Sequence, residues 1–115
     1  MKKKGAEYIW FDGNFIEWDK ALIPINTHAL HYGTSIFEGI RAYKSNSNLH
    51  IFKLKEHMER LLRSASIYSI KINHTIDELV DGTVQLLRKV NMRESCYIRP
   101  LSFVGVHGID LNVTY

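Results

Sequence analysis

Three arginines in this chain stand where a charge needs a reason. Arg60 falls between Met58 and Leu61 in a stretch of helical apolar spacing, and Arg41 and Arg99 sit in strand-like runs among apolar neighbours. A guanidinium offers paired, planar N–H donors that match a phosphate or a carboxylate. The pattern alone leaves ordinary alternatives open. Arg60 could pair with Glu56 one helical turn away, and a strand arginine often lays its stem on the sheet with its head in water. Arg99, between Ile98 and Pro100, is a less comfortable place for a purely solvated charge. Tyr97 stands two residues before Arg99, so the two project from the same face of a strand, and Phe37 stands in the same relation to Gly39. Tyr97 reads equally as a core or interface tyrosine, Phe37 as core, and Gly39 as a bulge or as room left for a ligand. Tyr32 is an aromatic in an irregular segment next to Gly33. The six histidines include His28 and His31 close together and His57 later. They lack carboxylate or cysteine partners at matching spacing, so no metal site is expected. A Gly-rich phosphate loop is absent.

Those residues need elements to hold them. Tyr8–Phe11 and Asn14–Trp18 are apolar, β-rich runs around Asp12-Gly13, a pair that accepts the positive φ angles of a type I′ hairpin turn. A connector follows around Pro24, and His28–Ser35 shows no clean period. Ile36–Tyr43 reads as a strand, Ser45–Asn48 as a turn, and Leu49–Phe52 as the returning strand. Leu54, Met58, Leu61, Leu62 and Ala65 then recur at helical spacing. Thr75-Ile76-Asp77-Glu78 fits a capping box, with Leu79, Val80, Val84, Leu87 and Val90 behind it and Asn91 as the stop. Cys96–Val104 reads as one strand carrying Pro100, which suits an edge or a bulge. This order predicts an α+β layer: a mainly antiparallel sheet with two packed helices.

The bulk numbers are those of one globular domain spanning 1–115, with 45% apolar and 23% charged residues. The net charge of +3 owes much to Lys2, Lys3 and Lys4, expected to be a solvated tail over residues 1–5. The remaining charges nearly balance, so the basic stripe of a nucleic-acid binder is missing. A single cysteine, Cys96, cannot staple a secreted scaffold, and neither a signal peptide nor a membrane span is visible. The Asn73-His74-Thr75 and Asn112-Val113-Thr114 triplets therefore read as chance, and a cytoplasmic location is expected.

The run His28-Ala-Leu-His-Tyr-Gly-Thr-Ser-Ile-Phe-Glu-Gly-Ile-Arg-Ala-Tyr43 resembles the signature of branched-chain amino acid aminotransferases, fold-type IV enzymes that use pyridoxal 5'-phosphate. The opening Tyr8-Ile-Trp-Phe-Asp-Gly13, Glu56-His-Met-Glu-Arg-Leu61 and Tyr97-Ile-Arg-Pro100 match further family segments in the same order. The resemblance covers nearly everything from Tyr8 to Gly105. Its branched-chain character rests on Phe37–Arg41 and Tyr97–Arg99.

The resemblance implies the small amino-terminal domain of a two-domain subunit, with residues 106–115 beginning the connection to a larger domain. That larger domain would carry the Schiff-base lysine, so the 115-residue chain alone is expected to be inactive. By the same resemblance Arg60 holds the cofactor phosphate and Phe37 walls an aliphatic pocket where Gly39 leaves room. Tyr97 meets the region of the substrate's α-carboxylate, while Arg99 reaches the distal carboxylate of glutamate and Arg41 adds polar recognition. Tyr32 enters the neighbouring subunit's site, which makes a homodimer, or a higher homo-oligomer, part of the machinery. The implied reaction moves the amino group of L-leucine, L-isoleucine or L-valine to 2-oxoglutarate. D-amino acid aminotransferases and aminodeoxychorismate lyases share the fold and are the nearest rivals, with a non-catalytic dimerising fragment as a third.

Overall fold

The computed structural model describes residues 6–106. The expected tail at 1–5 and the expected connection beyond Val106 lie outside the described residues. The chain opens on an antiparallel hairpin, β1 (Tyr8–Phe11) and β2 (Asn14–Glu17). Asp12 and Gly13 both take positive φ, 50° and 92°, as the type I′ turn requires. Trp18 has left the strand for a short 3-10 turn.

A five-residue helix follows where the sequence showed no period, α1 (His28–Tyr32). Its leading amides have tertiary partners: His28 N–H donates to the Gly105 carbonyl and Ala29 N–H to that of Val104. Gly33, at φ 65°, closes it in the left-handed conformation that glycine takes without steric cost.

The next strand is interrupted. It runs as β3 (Ser35–Phe37) and β4 (Ile40–Ser45), with β5 (Asn48–Ile51) returning after the Asn46-Ser47 turn. The last strand is interrupted as well, into β6 (Cys96–Ile98) and β7 (Leu101–Phe103). The two gaps are one feature. β3 pairs with β7 and β4 with β6, Phe37 facing Leu101 and Ile40 facing Ile98, so Glu38 lies opposite Pro100 and Gly39 opposite Arg99 in unbroken register. Glu38 N–H donates to the Pro100 carbonyl. Pro100 has no N–H to return the bond, and the ladder lapses there. Pro100 thus sits on an edge strand, as the sequence suggests, but without a bulge.

Two helices cover one side of this ribbon, α2 (Leu54–Ile67) and α3 (Ile76–Lys89). Leu54, Met58, Leu61 and Leu79 meet Ile40 in the buried core, flanked by Ile36, Ile51 and Ile98. Each such fully buried side chain contributes roughly 1.5–3 kcal/mol. The capping box at Thr75 is formed in both directions, Glu78 N–H to Thr75 Oγ1 at 3.1 Å and Thr75 N–H to Glu78 Oε1 at 3.2 Å. Both helices end in paired Schellman bonds around a non-glycine residue of positive φ, Ser69 and Asn91. The architecture is α+β with antiparallel pairing throughout.

The hairpin is tied to α3 in two places. His74 Nε2 lies 2.8 Å from Asp12 Oδ1 and its ring packs edge-on to Trp10, and the hydrogen bond to Asp12 holds its pKa above the ordinary imidazole value. Gly82 lets the helix approach Trp10 so closely that a Cβ there would lie 2.8 Å from indole Cε2 and Nε1. Alanine would gain about 1 kcal/mol of helix propensity, but overpacking against an indole costs about 1–3 kcal/mol. Gly82→Ala is therefore expected to lower stability by up to about 2 kcal/mol, read as a lowered thermal midpoint by circular dichroism. An unchanged or raised midpoint would show the hairpin to be free to retreat.

Candidate functional site

Because register holds across the break, the ribbon has two clean faces. Ile36, Glu38, Ile40, Ala42, Cys96, Ile98 and Pro100 turn toward the helices, and all are buried or half-buried. Burial raises the Cys96 thiol pKa. Phe37, Gly39, Arg41, Tyr97, Arg99 and Leu101 turn the other way, and Phe37 is 53% and Tyr97 48% exposed. Five of the seven site residues suggested by the sequence thus share one open surface of two paired strands.

Four of those five form a tight group. The Arg99 guanidinium lies 4.2 Å over the Phe37 ring and 5.4 Å from that of Tyr97. Its Nε and Nη2 donate to Tyr97 Oη at 3.3 and 3.0 Å. Tyr97 in turn lies across Gly39, where a Cβ would come 2.6 Å from the hydroxyl and 3.0 Å from Cε2. The room that Gly39 leaves is filled by Tyr97 itself. Arg41 is cross-strand from Tyr97. Among the described residues no carboxylate forms an ion pair with Arg41 or Arg99. The surface is therefore apolar and aromatic with two available cations, a combination that accepts an aliphatic chain and a carboxylate together.

Arg60 projects from α2 on the other side of the ribbon. It turns away from Glu56, its partner by helical spacing, and grips Glu38. Nε donates to Oε2 at 2.8 Å and Nη2 to Oε1 at 2.7 Å. His57 Nδ1, one turn earlier, lies 2.8 Å from the same Oε1. Glu38 is 6% exposed, while the Arg60 side chain is 60% exposed. The Arg60 hydrogen bonds hold the Glu38 carboxyl below its ordinary pKa against the opposing effect of burial, and His57 adds to the lowering. The pair raises Arg60 above its already high value.

Tyr32 is apart from the ribbon cluster. It ends α1, its ring 4.4 Å from that of His28, whose Nδ1 is hydrogen-bonded with Thr34 Oγ1 at 2.9 Å. Tyr32 and Phe37 line one open depression of about 620 Å³ with Ser64 and Tyr68. A smaller cleft of about 440 Å³, between β5 and the end of α3, contains none of the candidates.

Glu38 and His57 are participants that sequence reasoning missed. The signal for Glu38 was present, since an acidic residue between Ile36 and Ile40 on a period of two must enter the core and find partners. His57 carries no such local signal, since its partner Glu38 lies 19 positions earlier. No group of three or more metal-ligating side chains gathers among the described residues.

The family described as amino-transferase class IV matches residues 35–113. The branched-chain-amino-acid aminotransferase of Salmonella typhimurium is 47% identical over 97% of this chain and 36% of its own length. The crystal structure of the Escherichia coli branched-chain amino acid aminotransferase, also 47% identical, superposes with a TM-score of 0.89 over 94% of this chain and 35% of that one. The T.th. branched-chain amino acid aminotransferase, complexed with N-(5'-phosphopyridoxyl)-L-glutamate, is 40% identical with a TM-score of 0.88, over 96% of this chain and 37% of that one. The chain spans about a third of the length of the relatives it matches. The ribbon, its two interrupted strands and the α2 arginine lie largely within the matched segment, and the chain belongs to the class IV amino-transferase family.

Proposed function

We propose that this chain is the substrate-recognition part of a branched-chain amino acid transaminase that moves amino groups between L-leucine, L-isoleucine or L-valine and 2-oxoglutarate. The observation that carries the reading is the Arg99 guanidinium laid over Phe37 and bonded to Tyr97, at the edge of an open apolar surface. Such an enzyme must take a branched aliphatic side chain in one half-reaction and a carboxylate-bearing one in the other. Phe37 and the ribbon face would pack the aliphatic chain, and Arg99 would pair the distal carboxylate. Tyr97 accepts from Arg99 and keeps its own O–H free to donate to the α-carboxylate region, with Arg41 supplying a second charge nearby. None of these groups transfers a proton in this reading. They bind, orient and set charge.

The cofactor of this reading is pyridoxal 5'-phosphate. The residues present suit it: Glu38 occupies two of the five N–H donors of Arg60, and the rest of a largely exposed guanidinium is left for a phosphate. When bound, this cofactor supplies the carbonyl that exchanges with an amine and an electron-accepting ring. The lysine that holds it is assigned to the part of the protein outside this chain, so residues 1–115 alone are expected to be inactive.

The protein is further assigned to homodimers, with Tyr32 entering the partner's site, and to the cytoplasm. Large exposed apolar residues, Ile25 at 84% and Tyr32 at 67% among them, leave apolar surface for a second domain or copy to cover. No helix among the described residues is long and apolar enough to cross a membrane.

The test uses the full-length protein loaded with pyridoxal phosphate and mixed with L-leucine or, separately, D-alanine, following the cofactor's absorbance. The expected result is conversion with L-leucine only. Conversion with D-alanine only would move the protein to the D-amino acid branch of the family, and conversion with neither would leave the scaffold without this chemistry.

A further inference from the structure

Glu38 is the buried carboxylate among the described residues, and nothing in the packing of the ribbon requires one. Its neighbours on the same face, Ile36 and Ile40, fill the core with isoleucine. A buried carboxylate costs stability unless its oxygens are fully engaged. Here both are: Oε2 by Arg60 Nε, Oε1 by Arg60 Nη2 and His57 Nδ1. The carboxylate therefore covers the Nε–Nη2 edge of the guanidinium. The adjoining edge, made by Nη1 and the outer N–H of Nη2, is left for a second partner.

We infer that Glu38 is a positioning residue which, backed by His57, clamps one edge of Arg60 so that the other edge is fixed toward an anionic group, the phosphate of the cofactor. This inference rests on the reading of Arg60 as the phosphate's holder. Two effects of Glu38 on an anion oppose each other. Its negative charge repels a phosphate, and its hydrogen bonds remove the side-chain freedom that Arg60 would otherwise lose on binding. Without the clamp, Arg60 stands on an exposed helix surface one turn from Glu56, a carboxylate free to capture it. Glu38 is fully engaged, and its charge is shared with a guanidinium and an imidazole. Positioning is therefore the larger effect.

The experiment measures dissociation constants of pyridoxal phosphate for the full-length apoprotein by equilibrium dialysis, with inorganic phosphate as a competing probe. The variants are Glu38→Gln, Arg60→Ala and the double substitution. Glu38→Gln is expected to weaken binding about tenfold, the loss that follows from releasing one immobilised side chain. In the Arg60→Ala background the same substitution should cause no further loss, because Glu38 has no guanidinium left to position. The phosphorus NMR resonance of the bound phosphate should shift in Glu38→Gln, which a general loss of packing would not produce in a protein that still melts cooperatively. Binding as tight as before, or tighter, in Glu38→Gln would overturn the inference and make Glu38 a mere counter-charge. An equal loss with and without Arg60 would overturn it too. If Arg60→Ala itself binds normally, the reading of Arg60 fails first and the inference goes with it. Should Glu38→Gln not fold, Glu38→Asp keeps the charge but withdraws it by one methylene. It is expected to weaken binding by a smaller factor, and unchanged binding there would count equally against the clamp.

Discussion

Arg99→Ala in the full-length protein is expected to raise the KM for glutamate and 2-oxoglutarate about 10²-fold while changing the KM for L-leucine by less than about tenfold. The asymmetry follows from what Arg99 touches. Its protein partners are an aromatic face and a phenol oxygen, so its full charge is available to a substrate carboxylate. A hydrogen bond to a charged group contributes about 1.5–3 kcal/mol, and each 1.4 kcal/mol is about tenfold. Leucine brings no second carboxylate and loses the guanidinium's contact with Phe37, a cation–π interaction worth about 0.5–1 kcal/mol at an exposed site, together with an exposed hydrogen bond to Tyr97 that water replaces. Single-turnover traces of the two half-reactions, started from opposite cofactor states, separate the effects. Equal losses for leucine and glutamate would mean that Arg99 serves the α-carboxylate common to both. No loss with either would remove it from the site. Arg99→Lys is not a neutral control, since a lysine has neither the planar fork nor the stacking face that the Phe37 ring engages.

Local chemistry made much of this fold legible. Asp12-Gly13 can hardly be read as anything but a tight hairpin turn, and Thr75–Glu78 closes the capping box that its residue types encode. In both cases every participant lies close to the others along the chain. The misreadings have the opposite character. Ile36–Tyr43 and Cys96–Val104 look like single strands because each is apolar and β-rich throughout. Their shared interruption depends on Pro100 arriving opposite Glu38, which no local window contains. Arg60 had a helical partner in Glu56 by spacing and took Glu38 instead, 22 positions earlier. A strand residue on the core face offers a desolvated, fixed carboxylate, which a solvated glutamate on the same helix cannot match. The open face was nearly all readable, since a period of two sets Phe37, Gly39, Arg41, Tyr97 and Arg99 together once the two strands pair. That Gly39 makes room for Tyr97 could not be seen, because the side chain that fills the gap comes from the other strand.

That last contact sets the second large effect. Gly39→Ala puts a methyl group 2.6 Å from Tyr97 Oη and 3.0 Å from its Cε2, so one of them must move. The Gly39 backbone is held in the ribbon between paired strands, whereas Tyr97 is half exposed and its hydroxyl is tied to Arg99 by exposed hydrogen bonds alone. The side chain yields. Folding should therefore suffer little, by less than about 1 kcal/mol, since a surface rotamer change is all that is forced. The site suffers more. Arg99 donates to the same hydroxyl that is displaced, so one added carbon moves both polar recognition groups at once. A misplacement of about 1 Å in a positioning group can cost about 10²-fold, and kcat/KM for both L-leucine and glutamate is expected to fall by about 10–100-fold with the thermal midpoint nearly unchanged. Tyr97→Phe provides the internal check. If Gly39 acts through the tyrosine hydroxyl, Gly39→Ala placed on top of Tyr97→Phe should add much less than it costs alone. Full additivity would instead assign Gly39 to direct contact with the substrate, and a large fall in midpoint would mean that the ribbon, not the side chain, had given way.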